Sequence, residues 1–326
     1  MHNRFYDVFN GDADGLCALH QLRLVEPRPG AELITGVKRD INLLSRLQEL
    51  GVTGAEITVL DISLDANRAA LLSLLGANHI RYIDHHYAGA LPDSANLEAH
   101  IHPEPELCTS LIVDRLLAGR HRLWAVVGAF GDNLHDAAGR AAEPLALDAT
   151  EMAGLQDLGE LLNYNGYGKT TSDLYFHPAI LYSAMLPFTD PRDFLAASPI
   201  LARLRDGYQD DFALARAYRP IKESAAFMVY RFPDLPWCRR IAGVYLNERA
   251  RVDRQRAQAL LVDNDDGTIL VSLRAPLNSR TGADTICRTF PTGGGRPAAA
   301  GINALPEEML PKFLKALDTT YTTTYL

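Results

Sequence analysis

The sequence predicts an α/β protein in which a parallel-sheet domain is joined by a helical linker to a smaller α/β domain. Short apolar runs alternate with helical stretches over the first part of the chain, which is typical of a parallel sheet with helices on both faces. Helical, proline-punctuated sequence follows, and strand patterns return towards the end. The length of 326 residues predicts two domains, because a single hydrophobic core seldom grows to this size. We expect these domains at 1–190 and 221–326, with the linker at 191–220.

The elements of the first domain are predicted from the order of these runs. Its strand candidates are short apolar segments at 6–9, 32–37, 56–60 and 80–83. Its helix candidates lie between them, at 15–24, 41–50 and 64–75. Segments 109–117 and 123–130 extend the alternation, and the second is expected to end as a strand at Gly131-Asp132.

The second domain is predicted from fewer signals. Segment 201–218 has the pattern of a connecting helix, and 241–246 and 269–274 are expected to be strands. The run Asn264-Asp265-Asp266-Gly267 is a turn signal between elements of this domain.

Composition excludes several classes of protein. Hydrophobic residues make up 47% and charged residues 22%, which is ordinary globular composition and not that of a disordered or fibrous chain. No apolar run approaches the roughly 18 residues of a membrane span, and the start has no apolar signal segment. The four cysteines are far apart, which argues against a disulfide framework or a zinc site. We expect a cytoplasmic protein, and its net charge of −8 disfavours tight binding of long duplex nucleic acid.

Acidic and histidine side chains follow the ends of the predicted strands. These residues are Asp12, Asp14, Asp61, the run Asp84-His85-His86, and Asp132. Carboxylates with one or two imidazoles suit Mn²⁺ or Mg²⁺ better than zinc. In a two-metal site one carboxylate bridges ions roughly 3.5–4 Å apart. Asp61, alone at the end of a neighbouring strand, is the expected bridging carboxylate. The alternative for any single aspartate is a helix N-cap or turn residue.

The order of these motifs resembles that of the DHH phosphoesterase superfamily, which includes RecJ-type exonucleases, nanoRNases, cyclic-dinucleotide phosphodiesterases and manganese pyrophosphatases. The matching segments are Asn10-Gly11-Asp12-Ala13-Asp14-Gly15, Leu60-Asp61, Asp84-His85-His86 and Gly131-Asp132. A second match, Ser272-Leu273-Arg274 followed by the glycine-rich segment 293–301, is similar to the signature of the DHHA1 domain. The resemblance therefore covers nearly the whole chain.

The resemblance implies two Mn²⁺ ions, with Mg²⁺ as an alternative, and a role for each motif residue. One ion would be held by Asn10, Asp12 and Asp61, and the other by the set Asp14, Asp61, His85 and Asp132. Asp84 would orient His85 through its second ring nitrogen. His86 would face the substrate phosphate or protonate the leaving oxygen. The superfamily usually has His where this chain has Asn10, which is a weaker neutral ligand.

The glycine-rich segment is predicted to bind phosphate. Gly293, Gly294 and Gly295 would let the backbone approach an anion and expose its N–H groups as a nest. Arg296 and Arg274 would pair with phosphate by bidentate hydrogen bonds, although the superfamily more often has His in the position of Arg296. The segment 166–170 resembles a Walker loop but has Asn163 where that loop requires glycine, so we reject an ATP site.

Together these features predict a metal-dependent phosphodiesterase that hydrolyses short oligonucleotides or linear dinucleotides such as pGpG to mononucleotides. One alternative is a phosphatase acting on a nucleoside bisphosphate or a polyphosphate. The other is a nucleotide-binding regulator with weakened catalysis, which the substitution at Asn10 suggests. The expected partner is the short substrate, without long duplex nucleic acid or membrane, and a homodimer is left open.

Overall fold

The computed structural model describes residues 4–322. The chain divides into two compact units, Met1–Asp206 and Gly207–Leu326. This division falls inside the segment 191–220 that the sequence predicts to be a helical linker. The predicted domain boundaries themselves stay a prediction.

The first unit is built on a five-stranded parallel sheet. Its strands are β1 Arg4–Phe9, β2 Glu32–Thr35, β3 Ala55–Leu60, β4 His79–Asp84 and β5 Leu97–Ile101, in the order β2-β1-β3-β4-β5. The four predicted strands and the parallel sheet are confirmed. The fifth strand was not predicted, because Glu98 and His100 interrupt its short apolar run. Parallel pairing brings the carboxyl ends of these strands to one edge, where ligands bind in open α/β sheets.

Helices cover both faces of this sheet. They are α1 Ala13–Val25, α2 Leu43–Glu49, α3 Arg68–Leu75, α4 Thr109–Leu116, α5 Arg122–Gly131, α6 His135–Ala142, α7 Ala149–Gly166, α8 Pro178–Met185 and α9 Pro191–Ala197. On one face α2 and α3 pack on Tyr6, Val8 and Val59. On the other face, Arg23 of α1 forms a buried ion pair with Asp7 of β1. Helix α10, Pro199–Ala217, contains the division between the units and closely matches the predicted connecting helix.

One segment of the first unit differs from its prediction. Residues 123–130 were expected to be a strand ending at Asp132, but they form most of α5, and Asp132 caps the end of that helix. The run Trp124-Ala125-Val126-Val127 is fully buried, so it is apolar all round and carries no helical periodicity. A short buried run of this kind cannot be assigned to strand or helix from its pattern.

The second unit contains a six-stranded mixed sheet in the order β10-β11-β9-β8-β7-β6. Its strands are β6 Lys222–Glu223, β7 Phe227–Phe232, β8 Ala257–Asp263, β9 Thr268–Arg274, β10 Gly293–Arg296 and β11 Ala299–Pro306. Its helices are α11 Pro236–Val252, α12 Ala283–Cys287 and α13 Leu310–Thr322. Strands β7 and β8 are parallel, and the other neighbours are antiparallel.

The predictions for the second unit are partly wrong. Strand 269–274 and the turn at Asn264–Gly267 are confirmed, but residues 241–246, expected to be a strand, lie inside α11. The parallel strands β7 and β8 need a crossover between them, and α11 supplies it. Within residues 4–322, no helix is long and apolar enough to cross a bilayer.

The burial of His20 predicts a pH dependence of stability. The Nε2 atom of its ring donates to the carbonyl of Phe188 at 2.8 Å, and Nδ1 is buried with no hydrogen-bond partner among residues 4–322. A second proton on Nδ1 would therefore have no acceptor. Burial lowers the pKa of His20 from 6.5 to about 4, so below pH 6.5 the unfolded chain binds a proton that the folded chain excludes.

We expect the free energy of unfolding to fall as the pH falls from 6.5 to 4, with His20 contributing on the order of 3 kcal/mol. Urea denaturation across this range, on the protein and on His20→Gln, measures it. The Gln amide keeps a donor for the carbonyl of Phe188 but does not titrate, so its curve should be flatter. Equal slopes in the two proteins would exclude His20 as the cause.

Candidate metal centre

Five of the predicted site residues lie close together at the carboxyl edge of the parallel sheet. Asp12 follows β1, Asp61 follows β3, His85 follows β4, and Asp132 follows α5. Asp14 lies in the first turn of α1, beside this group. Asp12, Asp14 and Asp61 are each no more than 2% exposed, so their charges are held out of water and require compensation.

Asp12 is both a helix cap and a site carboxylate. Its Oδ1 accepts hydrogen bonds from the backbone N–H groups of Asp14 and Gly15 at 3.0 and 3.1 Å, which caps α1. Its other oxygen accepts from the ammonium of Lys38. The N-cap interpretation and the site interpretation of Asp12 therefore both hold.

Asp14 compensates its charge with backbone groups. Its two carboxylate oxygens accept from the N–H groups of Thr109 and Ser110, at 2.7 and 2.8 Å, in the first turn of α4. A helix N-terminus favours a carboxylate because its N–H groups lack partners within the helix. Asp14 thus anchors α4 against the site.

Asp61 lies at the centre of the cluster in an unusual backbone conformation. Its φ is 60°, in the left-handed region that non-glycine residues seldom occupy. Its Oδ1 accepts from the hydroxyl of Thr109 at 3.1 Å. Burial, followed by the nearby charges of Asp14 and Asp12, raises the pKa of Asp61 well above its usual value, and His85 opposes that shift. A carboxylate in this position gains strongly from a bound cation.

His85 points a ring nitrogen at two carboxylates. Its Nδ1 donates to the carbonyl of Leu107 at 2.9 Å, which directs Nε2 towards Asp61 Oδ1 at 3.4 Å and Asp132 Oδ2 at 3.9 Å. Burial alone would lower the pKa of His85, but the hydrogen bond and charge of Asp61, with the charge of Asp132, raise it to about 10. The imidazole therefore sits where positive charge is strongly favoured.

The predicted role of Asp84 is wrong. It was expected to orient His85, but its Oδ1 accepts from Nδ1 of His86 at 2.7 Å, and Leu107 orients His85 instead. The rings of His85 and His86 are 4.4 Å apart. Because the His86 side chain is 44% exposed, Asp84 fixes the ring of a histidine that solvent can reach.

Lys38 belongs to the site and was not predicted. Its Nζ contacts Asp12, Asn163 Oδ1 at 3.2 Å and Asp132 Oδ1 at 3.5 Å, and it lies 5.8 Å from the ring centre of Tyr167. Burial disfavours the charged amine, but Asp12, Tyr167 and Asp132 together raise the pKa of Lys38 well above its usual value. A signal did exist, because Lys38 directly follows the predicted strand 32–37. The predicted site was confined to carboxylates and imidazoles because these are the side chains that bind divalent ions.

Asn10 is buried beside Lys38. Its Nδ2 donates to the backbone carbonyl of Lys38 at 3.2 Å, while its Oδ1 is buried and has no hydrogen-bond partner among the described residues. The predicted role of Asn10 as a metal ligand stays a prediction.

The side chains around Asp61 and His85 form a donor set that fits one divalent ion. Ligand atoms of Asp61, His85 and His86 lie within 4.8 Å of one another, and Asp132 adds an oxygen near His85. Adjacent ligands of an octahedral ion with bonds of about 2.1 Å are roughly 3 Å apart, so small movements would bring Asp61, His85 and Asp132 onto one Mn²⁺ or Mg²⁺ ion. His86 lies beside this set, with its Nδ1 atom held by Asp84. Beside Asp12 the fit is poor, because the Lys38 ammonium already occupies that carboxylate.

The predicted phosphate-binding residues lie in the second unit. Gly293, Gly294 and Gly295 form the edge strand β10 rather than an open nest, which corrects that expectation. A Cβ at Gly293 would lie 1.8 Å from the carbonyl oxygen of Cys287, and Gly295 has a φ of 135°. These two glycines are therefore required by packing and backbone conformation.

Arg274 and Arg296 share one face of that sheet. Arg296 pairs with Ala299, and Ala299 pairs with Arg274, so the two arginines flank a small residue in one row. Arg274 donates from Nε to Asn247 Oδ1 of α11 at 2.8 Å.

No family model matches the sequence, and no curated protein matches it. Solved structures do. A manganese-bound exonuclease RecJ aligns with a TM-score of 0.55 at 19% identity, over 97% of this chain and 89% of that chain. The pGpG-specific phosphodiesterase PggH from Vibrio cholerae aligns with a TM-score of 0.54 at 14% identity, over 98% of this chain and 99% of that chain.

A further structure, RecJ from Thermus thermophilus in complex with Mn²⁺, aligns with a TM-score of 0.61 at 18% identity. The alignment covers 97% of this chain and 51% of that one, so the chain spans about half the length of this RecJ. At such identities the comparisons establish the fold alone. RecJ and PggH are members of the DHH/DHHA1 family, and the resemblance predicted from the motifs is therefore confirmed at the level of the fold, which this chain shares with them.

Proposed function

We propose that this protein is a metal-dependent phosphodiesterase of the DHH superfamily that hydrolyses short oligonucleotides or linear dinucleotides, such as pGpG, to mononucleotides. The observation that carries the proposal is the position of His85, whose Nε2 lies 3.4 Å from Asp61 and 3.9 Å from Asp132 at the ligand-binding edge of the sheet. An imidazole that faces two carboxylates in this way is a ligand set for Mn²⁺ or Mg²⁺.

Three residues would hold the divalent ion: Asp61, His85 and Asp132. The ion, when bound, supplies Lewis acidity towards a phosphate oxygen and lowers the pKa of water. Asp14 and Asp61 both accept hydrogen bonds from Thr109 in the first turn of α4, Asp14 from its N–H group and Asp61 from its hydroxyl, which fixes Asp61 relative to that helix. His86, whose ring is held by Asp84 and partly exposed, would face the substrate phosphate or protonate the leaving oxygen.

The arginine row of the second unit supports an anionic substrate. Arg274 and Arg296 lie on either side of Ala299 in neighbouring strands, so two positive side chains flank one small residue. Guanidinium groups bind terminal phosphates by bidentate hydrogen bonds. We propose that this row, with strand β10, binds a substrate phosphate.

The dinucleotide part of the proposal is suggested by the pGpG-specific phosphodiesterase PggH, which aligns with this chain over almost the full length of both chains. The predicted alternative with weakened catalysis has one observation in its favour, which is that Asn10 stands at a predicted ligand position while the ammonium of Lys38 engages Asp12. The described cysteines are all free and buried. The cytoplasmic location and the homodimer stay predictions.

We expect Mn²⁺-dependent release of mononucleotides from pGpG and from short 5′-phosphorylated oligoribonucleotides, with rates that fall as the chains lengthen. Chromatography of the products, with added Mn²⁺ and with a chelator, measures this. Release of inorganic phosphate alone would favour the phosphatase. Nucleotide binding without turnover under any metal condition would favour the regulator.

The substitution Asp61→Asn separates catalysis from folding. We expect kcat/KM to fall about a hundredfold or more, because a ligand is lost and even outer-shell partners of a metal contribute 10–100-fold. The metal-free variant should melt at a higher temperature than the parent, because a buried charge beside Asp12 and Asp14 is removed. Thermal melts in chelator and with Mn²⁺ provide the readout, and undiminished activity would refute the site.

Substitutions of the two adjacent histidines should affect different properties, Mn²⁺ affinity for His85 and kcat for His86. His85→Ala should weaken Mn²⁺ binding about 10–100-fold. His86→Ala should bind Mn²⁺ with unchanged affinity but lose about 10²–10⁴-fold in kcat, as expected for a lost general acid. Calorimetric titration of Mn²⁺ combined with turnover kinetics distinguishes them. Equal losses of Mn²⁺ affinity would instead make His86 a ligand.

A further inference from the structure

Lys38 occupies a position that the resemblance assigns to a metal ion. Its ammonium contacts Asp12, a predicted ligand of the first ion, and Asp132, a predicted ligand of the second. Asn163 Oδ1 is its third oxygen neighbour, at 3.2 Å. An ammonium group has three N–H donors and no acceptor, so these three oxygens match its hydrogen-bonding capacity.

A lysine in this place competes directly with an ion. Mn²⁺ or Mg²⁺ bound to Asp12 would need to lie about 2.1 Å from a carboxylate oxygen. One oxygen of Asp12 accepts from Lys38, and the other accepts two backbone N–H groups at the start of α1. Both oxygens are thus already engaged, and a cation of like sign next to Lys38 would be repelled.

Asn10 supports Lys38 in this position. Its side-chain amide donates to the backbone carbonyl of Lys38 at 3.2 Å, and the backbone N–H of Lys38 donates to the carbonyl of Gly166 at 2.8 Å. The backbone at Lys38 is therefore tied on both sides. The residue that departs from the usual histidine of the superfamily is also the residue that positions the lysine.

Helix α7 is shaped to accept this arrangement. Its last turn contributes Asn163 as an acceptor, and Tyr167, directly after it, presents a ring to the ammonium. A Cβ added at Gly166 would lie 3.0 Å from the Cβ of Asp12, so the glycine allows the end of α7 to approach the carboxylate closely.

We propose that the Lys38 ammonium takes the place of one of the two expected ions, so that this protein binds a single divalent ion, held by Asp61, His85 and Asp132. The chemical meaning of the inference rests on the proposed function. Its central claim, the number of ions per chain, does not depend on turnover. One divalent ion and Lys38 bring three positive charges to the carboxylates of Asp12, Asp14, Asp61 and Asp132, which is close to the charge that two ions would supply.

Metal counting after equilibrium dialysis against Mn²⁺ tests the proposal, with electron paramagnetic resonance as a second readout. The parent protein should hold one ion per chain and show the spectrum of an isolated Mn²⁺. Two ions per chain with a spin-coupled spectrum would overturn the proposal. Neither readout requires a substrate.

Substitutions at Lys38 test its part in the count. The double variant Lys38→Met/Asn10→His removes the ammonium and restores the usual ligand, so it should hold two ions and show spin coupling. Lys38→Arg keeps the charge and should remain at one ion. The exposed Lys315 of α13 provides the matched control Lys315→Met, which should also hold one ion. A double variant that is folded by circular dichroism and still holds one ion would contradict the proposal.

If the double variant does not fold, the number of Mn²⁺ ions bound per chain of the parent protein still tests the proposal. A parent with one ion and no phosphodiesterase activity would leave this inference standing and refute the proposed function. A parent with two ions and full activity would do the reverse.

Discussion

Repulsion between buried carboxylates is the constraint on which the arrangement of the first unit depends. Asp12, Asp14 and Asp61 come from two neighbouring strand ends and are almost completely removed from water. Carboxylates in such surroundings are tolerated only when hydrogen bonds or positive charges compensate them. The start of α1 compensates Asp12, the start of α4 compensates Asp14, and His85 and Lys38 supply positive charge. The placement of these helices and side chains thus follows from one electrostatic requirement.

The need to compensate the buried carboxylates links the stability of the first unit to cation binding. Asp61 combines a left-handed backbone with burial against other acidic groups, and both features cost folding free energy. A cation-binding site must hold its carboxylates close together even while no cation is bound. The compensation by helix termini is independent of the ion, so the fold of the first unit can persist while the charge near Asp61 remains unbalanced.

The sequence predicted most of what local pattern controls. Strands β1 to β4, and the acidic residues at the ends of β1, β3 and β4, were predicted correctly because apolar runs and polar residues at strand ends are local signals. The predictions failed where tertiary context decides. Residues 123–130 and 241–246 are short apolar runs whose burial on all sides hides the helical period. Asp84 was assigned to the wrong histidine because the sequence Asp84-His85-His86 does not reveal which of the two imidazole rings turns towards the aspartate. Lys38 follows a predicted strand, but the pattern does not reveal that the fold brings its ammonium onto Asp12.

The backbone carbonyl that holds His85 has a consequence for how this site can vary. A carbonyl is present whatever side chain residue 107 carries, so substitutions there should leave the imidazole oriented. The oxygen is instead placed by the path of the loop between β5 and α4, which ends where Asp14 binds the N–H groups of Thr109 and Ser110. Related chains are thus free to change the composition of this loop, whereas an insertion or deletion within it would turn the imidazole away from the carboxylates. Loop length, more than residue identity, is the property of this segment that divergence must preserve.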